Sequence, residues 1–279
     1  MTPARSAVAR AASPLLVVAA LAMAGCASTP PDPVALAARY AFVTEEVSGS
    51  AFRHRVFRNS AAPSDWLHVY LEGDGVPHPQ PWSVAADPTS SHLVALPLMA
   101  LDRERSVYVG RPCYFRVADA ACQPDYWTLR RYSPEVIDSV VAAIRSEQQH
   151  SGARHLVLIG HSGGAVLAWS AAARIEQVAA VVTLAGNLDV AAWTALHHYT
   201  PLVDAASPVD IPIRRTGFIA IHYAGERDRT IPPAMARAAV ERTGGELRIV
   251  AQADHTCCWQ EIWPEVLREI DARVRSNAE

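Results

Sequence analysis

Much is missing from this chain of 279 residues, and each absence removes a class of protein. Neither charge is in large excess: 25 Lys and Arg stand against 28 Asp and Glu, for a formal net charge of −3. The chain therefore carries no electrostatic footprint for nucleic acid. There is no internal repeat, and no low-complexity tract beyond an Ala-rich start, so no repeat array is expected. The apolar run at 14–24 is too short for the ~20 residues that a bilayer span needs. Five cysteines are present, but no C-x-x-C pair and no second His at ligand spacing; no metal site is expected, and no cofactor. What remains is a chain whose residues are 50% hydrophobic, enough for one large core or two small ones.

The chain is organised around Gly160-His161-Ser162-Gly163-Gly164. The short apolar run His155-Leu156-Val157-Leu158-Ile159 before it reads as a fully buried strand. Residues 165–174 after it are rich in helix formers and free of Pro and Gly. Strand, G-x-S-x-G and helix is the layout of a nucleophile elbow, whose turn is so tight that the serine takes a strained conformation and its neighbours two residues away must be small. A hydroxyl placed there stands up from the sheet edge, and the N–H of Gly163 at the helix start can face a developing oxyanion. The competing reading is a glycine-rich turn packed between strand and helix.

Around the elbow, 40–47 and 51–57 read as an antiparallel pair split by Ser48-Gly49-Ser50, and 66–71 as the first core strand. A Pro-rich loop leads to a helical stretch at 91–101, then a strand at 106–109. Ser133 and Pro134 open the clearest helix, with Val136, Ile137, Val140, Val141 and Ile144 as its apolar stripe. Strands follow at 178–184, 218–223 and 247–250, helices at 232–242 and 259–274, the last kinked or restarted at Pro264. Strands that alternate with helices and are apolar throughout point to a mainly parallel twisted sheet covered on both faces, with the N-terminal pair as an antiparallel edge.

That layout, with the elbow on a central strand, resembles the α/β-hydrolase superfamily over nearly all of residues 40–275, within a domain expected at 39–279. The resemblance makes 187–215 a short cap-like insertion. It also implies an acid and a base in the order Ser, acid, His. His255 follows the last strand in Gln252-Ala253-Asp254-His255-Thr256, where the superfamily holds its base. Asp228 follows the preceding strand in Gly225-Glu226-Arg227-Asp228-Arg229-Thr230-Ile231-Pro232, the superfamily's usual acid loop. Asp189 is the rival acid; it also reads as the N-cap of a helix from Val190. Asp254 adjoins the base but is expected to point away, and His161, His197, His198 and His222 are expected to be ordinary histidines. By position, the second oxyanion donor is the main-chain N–H of Asp74 in Glu72-Gly73-Asp74-Gly75, where the superfamily commonly has His-Gly. Two carboxylates beside an anionic transition state are unhelpful unless they turn away or are paired, and Arg111 is a candidate partner. A plain Gly/Asp turn is the alternative.

The N-terminus resembles a bacterial lipoprotein signal: Arg5 and Arg10, the apolar run, then Leu21-Ala22-Met23-Ala24-Gly25-Cys26. The resemblance implies a signal peptide at 1–25, a lipid on Cys26 and an outer-membrane address facing the periplasm, Ala27 rather than Asp following the Cys. Residues 26–38, with Thr29-Pro30-Pro31-Asp32-Pro33, read as an extended tether. Export makes Cys113 and Cys122 a candidate disulfide; either Cys257 and Cys258 form a vicinal disulfide, or one of them is a free buried thiol. Together these features imply a lipid-anchored envelope serine hydrolase acting on a small acyl substrate, an ester or thioester rather than a peptide. The alternatives are a serine peptidase on the same fold and a non-catalytic hydrolase-fold binding protein. No long hydrophobic lid is evident, which disfavours a triglyceride lipase.

Overall fold

Apolar, largely β-branched runs become the strands of one sheet. The computed structural model describes residues 32–211 and 219–278. The chain divides into two units, Met1–Pro30 and Pro31–Glu279. The expected signal peptide at 1–25 and Cys26 lie outside the described residues. The strands are β1 (Val43–Ser48), β2 (Arg53–Arg58), β3 (Trp66–Leu71), β4 (Ser106–Val109), β5 (His155–His161), β6 (Val178–Leu184), β7 (Ile219–Gly225) and β8 (Glu246–Val250). They form an eight-stranded sheet in the order β1-β2-β4-β3-β5-β6-β7-β8. From β4 to β8 every neighbouring pair is parallel, and β2 runs against both of its neighbours. The expected antiparallel N-terminal edge on a mainly parallel sheet is what the chain forms.

The helices are α1 (Pro33–Arg39), α2 (Ala95–Met99), α3 (Pro134–Ser151), α4 (Gly164–Ala172), α5 (Val190–Leu196), α6 (Pro233–Thr243) and α7 (Trp259–Ala278). α3 packs on α4, and α2 on α7, the two layers that the right-handed rule for parallel crossovers calls for with this strand order. β3, β4 and β6 are almost wholly buried between these layers. In α3, Pro134 occupies the first position, Gly152 ends the helix at φ +72°, and the predicted stripe of Val136, Ile137, Val140, Val141 and Ile144 is buried. Ser133 stands at the N-cap position, but its hydroxyl makes no capping bond.

Three local expectations change. The stretch expected as an extended tether turns helical at Pro33, because the Asp32 carboxylate accepts from Val34 N and Ala35 N and proline suits a first helical position. The helix expected at 91–101 shrinks to α2; Ser90 and His92 are tied to each other by side-chain-to-backbone bonds, a turn that competes with helix. α7 continues through Pro264 without restarting. Cys113 is bonded to Cys122, and Cys257 to Cys258.

Two histidines inside the fold are held neutral. His54 lies between Gly110 O and Ser139 Oγ, and His222 between Thr183 Oγ1 and Gly244 O. Burial pushes each imidazole down from 6.5 to about 4. Between those pH values the unfolded chain binds protons that the folded chain does not, so stability falls as pH falls from 6.5 towards 4. The expected loss is on the order of 3 kcal/mol for each His. Urea unfolding at pH 7 and pH 4.5 measures it; equal stability at the two values would contradict the buried, neutral state of both side chains.

Candidate active site

The elbow begins with β5, buried from Leu156 onward, which delivers Ser162 to the C-terminal edge of the sheet. Ser162 has φ +51°, a region that costs a non-glycine residue ~1–3 kcal/mol. Neighbouring backbone holds it there. Its N–H donates to Leu184 O at 2.9 Å, and its carbonyl accepts from Ala165 N and Asn187 N, each at 3.1 Å. Strand and helix then approach so closely that a Cβ on Gly160 would lie 2.5 Å from Gly164 O. The small residues expected at these two positions are a steric requirement.

The loops after β7 and β8 reach the same edge. His255 Nε2 lies 3.0 Å from Ser162 Oγ, and His255 Nδ1 lies 2.9 Å from Asp228 Oδ2. With the Nδ1–H donated to the carboxylate, Nε2 is free to accept from the serine hydroxyl. The other Asp228 oxygen accepts from Thr230 N at 2.7 Å and Ile231 N at 2.8 Å, which fixes the carboxylate, and Asp228 is buried. Asp189 is engaged elsewhere: it caps α5 through Ala192 N and pairs with Arg242. Asp254 turns back onto Thr256 N and Cys257 N, away from the imidazole as expected.

The turn after β3 closes the site. A Cβ on Gly73 would sit 3.1 Å from Ser162 Cβ, so this turn lies against the serine. Among the described residues, no hydrogen bond engages the N–H of Gly163 or of Asp74. The Asp74 carboxylate does not stand naked beside them. Tyr132 Oη donates to both of its oxygens at 2.6 and 2.7 Å, Arg131 Nη1 donates at 3.1 Å, and Arg111 Nη1 lies 3.3 Å away. Burial pushes this carboxyl up, but the two guanidinium groups outweigh it and hold it below the usual range. Arg111 is the partner the sequence suggested. Arg131 and Tyr132, 57 and 58 positions away from Asp74, carried no local signal.

Glu72 is turned away from the serine: one oxygen accepts from Val94 N and Ala95 N, each at 2.9 Å, and the other lies 3.0 Å from His161 Nδ1. His161, expected to be an ordinary histidine, is buried between two active-site loops. His222 is a core residue, His197 reaches Thr230 O in the Asp228 loop, and His198 faces the cavity. That cavity, about 880 Å³, opens above Ser162 and His255 and is walled by Val76, Trp82, Leu129, Trp193 and Tyr199.

Neither a protein-family model nor a curated protein sequence matches this chain. Solved structures do. An esterase from Pyrococcus furiosus superposes with a TM-score of 0.61 at 12% identity, over 86% of this chain and 93% of its own. A proline iminopeptidase-related protein from Thermus thermophilus gives 0.59 at 17% identity, over 85% and 99%. An α/β serine hydrolase homologue from Coxiella burnetii gives 0.52 at 14% identity, over 84% and 96%. The fold is the α/β-hydrolase fold. Within an α/β-hydrolase sheet, the crevice at the C-terminal strand ends is where ligands are taken up, and that is the edge at which Ser162, Asp228 and His255 meet.

The contact between elbow and oxyanion turn is testable through Gly163. A Cβ there would lie 2.0 Å from Asp74 Oδ1 and 2.4 Å from Tyr132 Oη. Gly163→Ala is expected to lose about 1–3 kcal/mol in urea unfolding. A loss below ~0.5 kcal/mol, the size of an ordinary surface change, would show that this contact is not tight.

Proposed function

We propose that this protein is a serine hydrolase that cleaves a carboxylic ester or thioester through an acyl-enzyme. The observation that carries the reading is the unbroken chain Ser162 Oγ–His255–Asp228 at 3.0 and 2.9 Å, opening into a cavity. A serine hydroxyl is a weak nucleophile until a base takes its proton. In this reading His255 accepts that proton as Ser162 attacks the carbonyl carbon. The negative oxygen then forms between the N–H groups of Gly163 and Asp74, and His255 returns the proton to the leaving alcohol or thiol. Water, activated by the same imidazole, releases the acid. Asp228 holds the imidazole in the tautomer with Nδ1 protonated and stabilises its charged form.

The two acidic side chains on the oxyanion turn suit this role because each is compensated. Glu72 is spent on three backbone N–H groups, from Gly73, Val94 and Ala95, with His161 Nδ1 3.0 Å from its second oxygen. Asp74 is compensated by Arg111 and Arg131, which offset its charge where the oxyanion is expected to form. The likeness to an esterase supports an ester as the scissile bond; the likeness to an iminopeptidase-related protein makes a peptide the rival. The lipoprotein-like N-terminus supports the remaining part of the proposal, attachment to the bacterial cell envelope by a lipid on Cys26, facing the periplasm.

Kinetics test the assignment. On a p-nitrophenyl ester, Ser162→Ala is expected to be inactive. Asp228→Asn is expected to lose ~10³–10⁴-fold in turnover. Asp189→Asn keeps a good cap and is expected to lose little. A crippled Asp189→Asn beside an active Asp228→Asn would overturn the acid. Faster turnover of a matched p-nitroanilide than of the ester would favour a peptidase. Mass spectrometry of the membrane fraction is expected to find a diacylglycerol on Cys26; a soluble product cut at another bond would refute the anchor.

A further inference from the structure

The imidazole at the second position of the elbow is a buried polar group that takes no part in the proton transfers of this mechanism. His161 occupies the last residue of β5, directly before Ser162, and is 4% exposed. Its Nδ1 lies 3.0 Å from Glu72 Oε1, and its Nε2 lies 2.8 Å from the main-chain oxygen of His255. One ring therefore joins the oxyanion turn, the elbow and the loop that carries the base.

Both partners are acceptors, a carboxyl oxygen and a carbonyl. The His255 carbonyl can only accept, so the bond to it requires that Nε2 be the donor. Glu72 is itself immobilised, since its other oxygen takes the N–H groups of Val94 and Ala95 and Oε1 also takes that of Gly73 at 3.2 Å. The anchored carboxyl sets the plane of the His161 ring, and the ring in turn sets the position of the His255 carbonyl. A further donor converges there more loosely: Trp259 Nε1 at the start of α7 is 3.4 Å from the same oxygen. The His161 and His255 rings lie 5.3 Å apart between centroids, so the ring that fixes the base's backbone does not occupy the base's own reaction space.

We propose that His161, oriented by Glu72, is a positioning residue: it pins the main chain of His255 so that the imidazole meets Ser162 and stays in register with the oxyanion turn. The need for such a pin is local. The loop from 251 to 258 has no helix or strand; Arg227 N ties it to the acid loop at Ala253 O, but beyond that point Asp254 folds it onto its own backbone at Thr256 and Cys257. Asp228 fixes one ring nitrogen of His255 but leaves the ring free to pivot about that bond. Holding the carbonyl of the same residue removes the pivot. Misplacement of a catalytic group by ~1 Å costs about 100-fold in rate, which sets the scale of the expected effect.

The inference rests on the serine-hydrolase reading of this site, and the test separates the two. Wild type, Ser162→Ala, His161→Leu, His161→Gln and His161→Asn are compared on one p-nitrophenyl ester, with amide hydrogen exchange followed over 253–258. A Gln amide places its N–H near the position of Nε2, an Asn amide near that of Nδ1. His161→Leu is expected to lower kcat by about 10–100-fold with KM changed less than about threefold, and to speed exchange in the loop. His161→Gln is expected to restore both; His161→Asn is expected to restore neither. Wild-type kcat and exchange in His161→Leu, or equal impairment of Gln and Asn, would overturn the inference. If His161→Leu does not fold, the Gln and Asn pair decides it. If Ser162→Ala still turns over the ester, the hydrolase reading fails, and the exchange pattern alone judges the bridge.

Discussion

A serine held at φ +51° in a turn between a buried strand and a buried helix is the constraint on which the rest of the site depends. That conformation is unfavourable for a residue with a side chain, and it persists only where the surroundings over-determine it. Here they do. Backbone bonds to Leu184, Ala165 and Asn187 grip Ser162 on both sides, and glycines at 160 and 164 let strand and helix touch. In return the hydroxyl stands clear of the sheet edge, the Gly163 N–H stays unpaired among the described residues, and the loops after β3, β7 and β8 converge on one point.

Convergence brings a second problem, charge. Three carboxylates, those of Glu72, Asp74 and Asp228, crowd a site proposed to build negative charge on a reacting oxygen. Each is answered by a different device. Asp228 is given to the base and two backbone N–H groups. Asp74 is wrapped by Tyr132 and two arginines, and Glu72 by backbone donors and His161. Buried charges are tolerable only when they are paired and hydrogen-bonded. Meeting that demand also makes the site rigid, because the groups that neutralise the carboxylates come from β4's loop, the segment before α3, the start of α2 and the elbow itself.

Which parts of this were legible in the sequence follows from the range of the interactions. The elbow was legible because its steric demands fall within five consecutive residues. The positions of Asp228 and His255 were legible because the order of strands and loops carries them, and the parallel sheet followed from apolar runs alternating with helical ones. The wrapping of Asp74 by Arg131 and Tyr132 was not, since it depends on how a loop 57 residues on folds back over the turn. The setting of His161 was not legible for the same reason: its two partners lie 89 and 94 residues away, and nothing in its neighbours marks it. Local signals also misled in two places. Asp32 and Pro33 start a helix where a proline-rich tether was expected, and the side chain of Ser90 holds back α2. In both, a pair of side-chain-to-backbone bonds outweighed composition.

The central claim is that Ser162 is the nucleophile and that His255 activates it. The most direct measurement is covalent: the protein is treated with a fluorophosphonate and the adduct is located by peptide mass spectrometry, alongside His255→Ala. The account expects one adduct, on Ser162, formed far more slowly or not at all in His255→Ala. An adduct on another residue such as Ser170, or labelling of Ser162 at an unchanged rate without His255, would contradict it.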